Sequence, residues 1–550
     1  MRRLFNEHKV RPTQSLDGVW QLSANGNDYS CIVPGIWEAI PALAQYRGKA
    51  VMTRSFTLDR DSNLLLRFGG VSHTADVYLD GVYLGHHYDA FTGFRFAVPE
   101  VKAGEHTLRV EVDNSFSEAS TLHIPNDYYS YGGITRPATV EEIAATYIDR
   151  MVFTPCLSEN GVWSAKVTVH VKAVAEAAPA SLQVCVAGAC TCADVPSLKA
   201  GEEASVTVTL DCPEAKAWEH MNAHLYLLEG TLIRDGKAID DLIDRVGFKV
   251  VTVVGQEIRI NGKPAYIKGF NRHEDCGSQG CAVGVNSMME DLQLMLDMGA
   301  NSVRTCHYPN DPRFLDLCDE LGILVWEETH SRAIPGEIMR KPLFAEQIDQ
   351  SAIEMVTQHV NHACIYTWGL LNECESETEF GRGVYSHIID LLHKLDGTRP
   401  VTFASCRFFT DICLDLVDIA SFNIYPLWYH GENAADYSAR LVKWMDENGA
   451  AGKPIIISEF GAGGIYGYHD PLYMAKWSEE RQAQILDEQL TALGAMPRVT
   501  GTYIWQFADV RVAEEWSMHR PKSQNNKGVV DLFRRPKLAY KVVKDHYTKK

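Results

Sequence analysis

The chain has no excess of positive charge, no long apolar run, no cysteine framework and no glycine-rich phosphate loop. Its 550 residues carry 71 acidic against 52 basic side chains, a formal charge of −19, which argues against a general binder of nucleic acid or of anionic membranes. No stretch approaches the roughly 18 uninterrupted apolar residues of a membrane span. The start, Met1 to His8, lacks the apolar segment of a secretory signal. A soluble, cytoplasmic protein is expected. The 14 cysteines are scattered and read as reduced thiols. Cys190-Thr191-Cys192 has no second Cys/His pair at zinc spacing, so no metal is implied. No glycine-rich loop follows a strand, so no nucleotide or redox cofactor is implied either.

What is present is ordinary globular composition, 46% hydrophobic and 22% charged, at a length that suggests about three domains. Up to about Ala145 short alternating segments, such as Asp17 to Leu22, Leu64 to Phe68 and His106 to Val112, are separated by turn residues and read as antiparallel strands. Within Val77 to Leu84, Asp80-Gly81 supplies a two-residue hairpin turn. The pattern predicts a β-sandwich over 1–145. Lys166 to Val171, Ser181 to Val186, Ala204 to Leu210 and Arg245 to Val251 predict a second, immunoglobulin-like sandwich over 146–252, with 173–180 as a surface loop.

From residue 253 to 550 buried-type strands alternate with amphipathic helical stretches, the pattern of a (β/α)8 barrel whose site lies at the carboxyl ends of its strands. The predicted strands are 265–271, 302–308, 324–329, 365–373, 401–406, 419–425, 454–461 and 501–509. They end in Asn271 to Asp275, Arg304 with His307 and Tyr308, Glu327 and Glu328, Asn372 and Glu373, Asn423 with Tyr425, Glu459, and Trp505. A packed barrel has no structural use for so many ionisable and aromatic groups at one rim. Glu373 and Glu459 each follow an apolar run, and opposed carboxylates suit glycoside hydrolysis: one protonated to donate to the leaving oxygen, one ionised to attack the anomeric carbon, about 5–5.5 Å apart in retaining enzymes.

The order of motifs resembles glycoside hydrolase family 2 over almost the whole chain. Tyr131-Gly-Gly-Ile-Thr-Arg-Pro137 is similar to the close of that family's jelly-roll domain. Asn261-Gly-Lys-Pro264, Gly269-Phe-Asn-Arg-His-Glu274 and Asn301-Ser-Val-Arg-Thr-Cys-His-Tyr-Pro309 resemble its barrel entry. Asn361-His362, followed eleven residues on by Asn372-Glu373, and then Lys453-Pro-Ile-Ile-Ile-Ser-Glu-Phe-Gly461 resemble its catalytic segments. The resemblance implies a jelly-roll sandwich, an immunoglobulin-like sandwich and a TIM barrel, and a retaining β-glycosidase with Glu373 as acid/base and Glu459 as nucleophile. It also implies Tyr425 beside the nucleophile, Asn372 at the sugar 2-hydroxyl, and a homo-oligomer. Arg304 is expected to favour ionised Glu459 by Coulomb attraction.

For the sugar, Arg520 to Lys537 holds six basic residues (Arg520, Lys522, Lys527, Arg534, Arg535, Lys537) and one acid, Asp531, which suits an anion. Within it Asn525-Asn526-Lys527 resembles the Asn-x-Lys motif with which the β-glucuronidases of the family grip a C6 carboxylate, a contact favoured by charge-assisted hydrogen bonds. Asn423-Ile-Tyr-Pro-Leu-Trp-Tyr429 and Trp477-Ser-Glu-Glu480 resemble further segments of that group. These place Asn423, Tyr425, Tyr429, Asp127, His307 and Trp505 around a β-glucuronide, small or oligosaccharide. The sequence departs from the pattern at 358–360, at Ala363-Cys364, at Leu371, and at Gly463, where glucuronidases often carry Asp. This last departure keeps β-galacturonidase and β-galactosidase open as alternatives, beside a non-catalytic sugar-binding protein. A short connection from Ser331 to Gln350 predicts an open site that accepts larger conjugates.

Overall fold

The computed structural model describes residues 3–549. Asp80 and Gly81 take φ values of 51° and 82°, the left-handed pair that a tight hairpin turn needs, and join Thr74–Leu79 to Val82–Tyr88 antiparallel. A six-stranded and a four-stranded sheet follow from such pairings. Their inward residues, among them Trp20, Met52, Val77 and Leu108 from one sheet and Leu64, Leu66 and Val140 from the other, bury a common core.

The second sandwich packs a three-stranded sheet (Thr146–Leu157, Trp163–Ala173, Glu203–Asp211) on a four-stranded one (Ala189–Val195, Ala180–Val186, Tyr226–Arg234, Lys237–Val246). Its alternation in–out is clean, with Val167, Val169, Leu182 and Val184 inside. Two expectations fail here. Arg245 to Val251 is not one strand: the sheet strand ends at Val246 and Val251–Val254 restarts in a small separate sheet. Between them Phe248 turns into the sandwich core and the Lys249 ammonium donates to the Ile365 carbonyl, 2.7 Å away under the barrel. Nor are all the cysteines thiols. Cys185 and Cys190 stand directly opposite in the hairpin register, with Cα atoms 4.2 Å apart, and are joined in a disulfide.

Eight parallel strands then close a barrel: β1 (Ile267–Asn271), β2 (Ser302–Thr305), β3 (Leu324–Glu328), β4 (Ile365–Leu370), β5 (Val401–Ser405), β6 (Ile419–Asn423), β7 (Ile455–Phe460) and β8 (Val499–Ile504). Each coincides with a predicted strand. Nearly every residue in them is buried, because helices cover the outside and side chains fill the inside. Gly269 shows how tight the filling is: a Cβ there would lie 2.3 Å from the Tyr503 ring. The helices Val285–Asp297, Pro312–Leu321, Pro342–His359, Glu379–Leu395 and Glu479–Gly494 supply the alternating helical stretches, and Ala434–Met445 and Leu538–Thr548 add to the ring. Among the described residues the β5–β6 connection, 406–418, carries no helix, so the count of strictly alternating units is one short. No helix among the described residues is long and apolar enough to cross a membrane.

Candidate active site

The strand ends of β2, β3, β4, β6 and β7 converge on one network. Arg304, the third residue of β2, is fully buried. Its Nε and Nη2 donate to Glu328 at the end of β3 (2.9 and 3.0 Å), its Nη1 to Glu459 Oε1 (3.0 Å), and its Nη2 to Asn372 Oδ1 (2.9 Å). A planar fork fixed on one side by a bidentate carboxylate presents its remaining N–H groups in set directions. Glu459, on β7, also accepts from the Tyr425 hydroxyl at 2.7 Å.

Glu373 follows β4 with a φ of 55°, and Leu371 just before it has a φ of 41°. Left-handed backbone at side-chain-bearing residues costs about 1–2 kcal/mol each, offset here by contacts: the Ser331 hydroxyl accepts from the Leu371 amide, and Tyr385 donates to its carbonyl (both 3.0 Å). The turn brings Glu373 Oε1 to 2.9 Å from the Asn423 amide nitrogen, which is itself 3.2 Å from Asn372 Oδ1. Both glutamates therefore share a frame of Asn372, Asn423 and Arg304.

Burial, with the charge of Glu373, pushes the Glu459 carboxyl up to about 7, against the pull of Arg304 and Tyr425. The expected attraction from Arg304 is present in the geometry, but burial outweighs it. Burial and the neighbouring Glu459 charge push the Tyr425 phenol well above its usual range, so it remains a donor. His307 is held neutral by burial, with Arg304 and Arg332 acting in the same direction. Its ring stacks on Trp505 at 5.1 Å, its Nδ1 lies 2.9 Å from Glu328, and its buried Nε2 has no hydrogen-bond partner.

A second group of charges faces the pair. Asp127, from the first sandwich, sits 3.2 Å from Arg332, 3.2 Å from Arg520 and 3.1 Å from the Asn525 amide nitrogen. Burial alone would raise its carboxyl, but Arg332, Arg520 and Lys527 hold it far below the usual range. Lys527 is 2% exposed. Its ammonium lies 3.4 Å from Asn525 Oδ1 and 5.9 and 5.5 Å from the ring centres of Tyr425 and Tyr429, with no carboxylate at ion-pair distance among the described residues. Burial drives its pKa down, while Tyr429 and Asp127 pull it up. Tyr429 stands at the mouth, more than half exposed.

Residues 251–550 match the family model described as the TIM barrel domain of glycosyl hydrolases family 2, and residues 11–142 the sugar binding domain of the same family. The chain belongs to glycosyl hydrolase family 2. A β-glucuronidase of Streptococcus agalactiae is 27% identical over 98% of this chain and 96% of its own. Among solved structures, a family 2 β-galacturonidase from Eisenbergiella tayi bound to galacturonate is 46% identical, with a TM-score of 0.97 over 100% of this chain and 99% of that one. A β-D-glucuronidase of Dictyoglomus thermophilum, 26% identical, gives 0.87 over 99% and 98%. This family 2 member is thus a glycoside hydrolase of three β-rich parts.

All twelve side chains singled out in the sequence of this family 2 enzyme lie in this region, but several rim neighbours do not. Arg272 turns outward to Asp291 (2.9 Å), Glu274 receives Arg136 from the first sandwich (2.8 Å), and Glu327 faces His359 (3.0 Å). They brace the barrel. The cationic tail is also dispersed: Arg534 pairs with Asp291, Arg535 with Asp531, Lys537 with Asp509, and Lys522 is exposed. Only Arg520 and Lys527 of the six reach the cavity group, because each of the three paired cations meets an acid of the barrel first. Arg332 is the residue that sequence reasoning missed, while Arg520, named there only within the basic run, reaches Asp127. Arg332 lies four residues past β3, and its guanidinium is 3.6 Å from Glu373. The connection that carries it is short, as expected, holding only the helix Gly336–Met339 before Pro342–His359 begins.

Proposed function

We propose that the protein is a retaining exo-β-uronidase acting on a terminal hexuronic acid. The observation that carries this reading is Lys527: a buried ammonium without a carboxylate partner, flanked by Asn525 and two tyrosines. A buried cation left uncompensated is costly, and a sugar carboxylate supplies what it lacks through charge-assisted bonds that a neutral 6-hydroxyl cannot match.

In the first step Glu459 attacks the anomeric carbon as Glu373 passes its proton to the glycosidic oxygen, which leaves with the aglycone. With its proton on Glu373, the pair loses the repulsion that raises Glu459, and Arg304 and Tyr425 hold the resulting charge. Ester formation then neutralises Glu459. Glu373, now ionised, takes a proton from water as that water attacks the anomeric carbon and the bond from that carbon to the Glu459 oxygen breaks, which frees the uronic acid and restores both carboxyls. Asn372 supports this chemistry: its oxygen is occupied by Arg304 and Asn423, while its buried amide nitrogen has no partner and is free for the sugar 2-hydroxyl. Asp127, kept ionised, accepts from ring hydroxyls.

Within the uronides, the glucuronide follows from the Asn-x-Lys resemblance, and two observations favour the C4 epimer. The E. tayi relative is a β-galacturonidase solved with galacturonate. At Gly463, where an acid would stand, an added Cβ would meet the Trp477 ring at 2.3 Å, so the position admits no carboxylate while that ring stays put. Nitrophenyl β-D-galacturonide, glucuronide, galactoside and glucoside, assayed side by side, test both levels. Both uronides should exceed both neutral sugars, with the galacturonide fastest. A galactoside turned over faster than either uronide rejects the carboxylate grip.

A further inference from the structure

Outside the carboxylate site, three buried side chains from three different elements meet at the seam between the first sandwich and the barrel. Asp89 follows strand Val82–Tyr88, His123 lies in the loop after Gly104–Asp113, and His330 follows β3. One carboxylate oxygen and two ring nitrogens lie within 4.8 Å of one another. His330 Nδ1 is 3.2 Å and His123 Nε2 4.0 Å from the same oxygen, Asp89 Oδ1.

Asp89 Oδ1 also accepts from the Phe91 amide at 3.2 Å. His330 Nδ1, His123 Nε2 and Asp89 Oδ2 all lack an aligned partner although they are buried. A buried polar group without an aligned partner is costly, and both free ring nitrogens lie on the side of Asp89 Oδ1. Ligands bound at about 2.0–2.1 Å to one tetrahedral ion stand roughly 3.3 Å apart, a spacing the His330–Asp89 pair has at 3.2 Å and the His123–Asp89 pair, at 4.0 Å, would reach by a small side-chain shift. The far nitrogens are held as well: His123 Nδ1 is 3.1 Å from the Tyr88 hydroxyl, and His330 Nε2 3.4 Å from the Tyr128 hydroxyl. An imidazole oriented through its other nitrogen is the usual support of a metal ligand.

A comparison within the same molecule sharpens the point. Asp319, His362 and Cys364 form a similar buried triad, yet every member is satisfied: His362 Nδ1 lies 2.6 Å from Asp319 Oδ2, the Cys364 amide donates to Asp319 Oδ1 at 2.7 Å, and its sulfur faces the Leu315 carbonyl at 3.6 Å. That triad has no need of an ion.

We propose that Asp89, His123 and His330 bind a structural divalent cation of the zinc class, which ties the sugar-binding sandwich to the barrel, with water completing the shell.

The test needs no turnover. The untagged full-length protein is expressed with Zn2+ and dialysed against metal-free buffer, and its metal is counted by mass spectrometry. About one zinc per chain is expected in the wild type and in a Cys156→Ser/Cys192→Ser control, and a small fraction of that in His123→Ala/His330→Ala. Stripping the wild type with a chelator should lower its melting temperature and added Zn2+ should restore it, a readout that does not depend on the variant's folding. A wild type holding under about one tenth of an ion, a double variant that keeps its zinc, or a melting temperature indifferent to stripping overturns the proposal.

Discussion

Lys527 and the two glutamates make separable demands on the assay. Lys527→Ala removes a charge-assisted hydrogen bond of about 1.5–3 kcal/mol, so kcat/KM for uronides should fall by roughly ten- to a hundredfold while slow turnover of neutral glycosides changes little. An equal loss on both substrate types would mean that the ammonium supports the cavity without reading the sugar. The pH profile tests the carboxylate pair. Glu459 must be ionised to attack, and burial with the charge of an ionised Glu373 raises it to about 7, so toward an aryl uronide whose leaving group needs no proton kcat/KM should rise through an apparent value near neutrality. Because the Glu373 charge pushes that value upward, Glu373→Gln should shift the acid limb to lower pH, measured with an aryl uronide whose leaving group needs no proton. A shift to higher pH would reverse the assignment of the pair.

At the scale of single elements, the short helix Glu514–His519 holds two cations on Asp127. Trp516 lies under both Arg332 and Arg520, with guanidinium carbons 5.4 and 5.6 Å from its ring centre. Cation–π contacts contribute about 0.5–1 kcal/mol each. Trp516→Ala should therefore raise KM about three- to tenfold through Asp127, with kcat less affected, and a change in kcat alone would remove this element from substrate binding. Neither Trp516 nor Arg332 is legible in the sequence, and the reason is physical. Strand-end residues such as Arg304, Asn372 and Glu459 are indexed by the apolar runs before them, whereas Arg332 reaches the site from a connection whose path only packing decides. The same limit explains the disulfide. Cys185 and Cys190 face each other because Val186 and Ala189 pair in register, and register is set by the whole hairpin. The eight barrel strands were legible since burial on both faces leaves continuous apolar segments. The cationic run from Arg520 to Lys537 reads as one patch because linear charge density ignores Asp291 and Asp509, which folding brings alongside Arg534 and Lys537.

For the whole molecule, the sugar-binding sandwich is part of the site and not an appendage, since Asp127 is its contribution to the cavity. Its placement rests on Arg136, buried at the seam, which donates to Glu274 (2.8 Å) and the Pro309 carbonyl (2.7 Å) of the barrel and to the Phe91 carbonyl (2.6 Å) of its own sandwich. Glu274 in turn accepts from the Asp311 amide at 2.7 Å. Arg136→Ala would leave the Glu274 carboxylate buried with only that amide, a change that costs about 3–5 kcal/mol when one partner of a buried pair is removed. The expected result is a lower melting temperature together with a raised KM, because a loosened seam moves Asp127 while β4 and β7 keep both glutamates in place. Adding Glu274→Gln should recover part of the stability, since it removes the stranded charge, but not the KM, since it does not restore the contact to Phe91 and Pro309. Were the double variant to recover both, the pair would act only through its charge, and the sandwich would owe its position to other contacts across the seam.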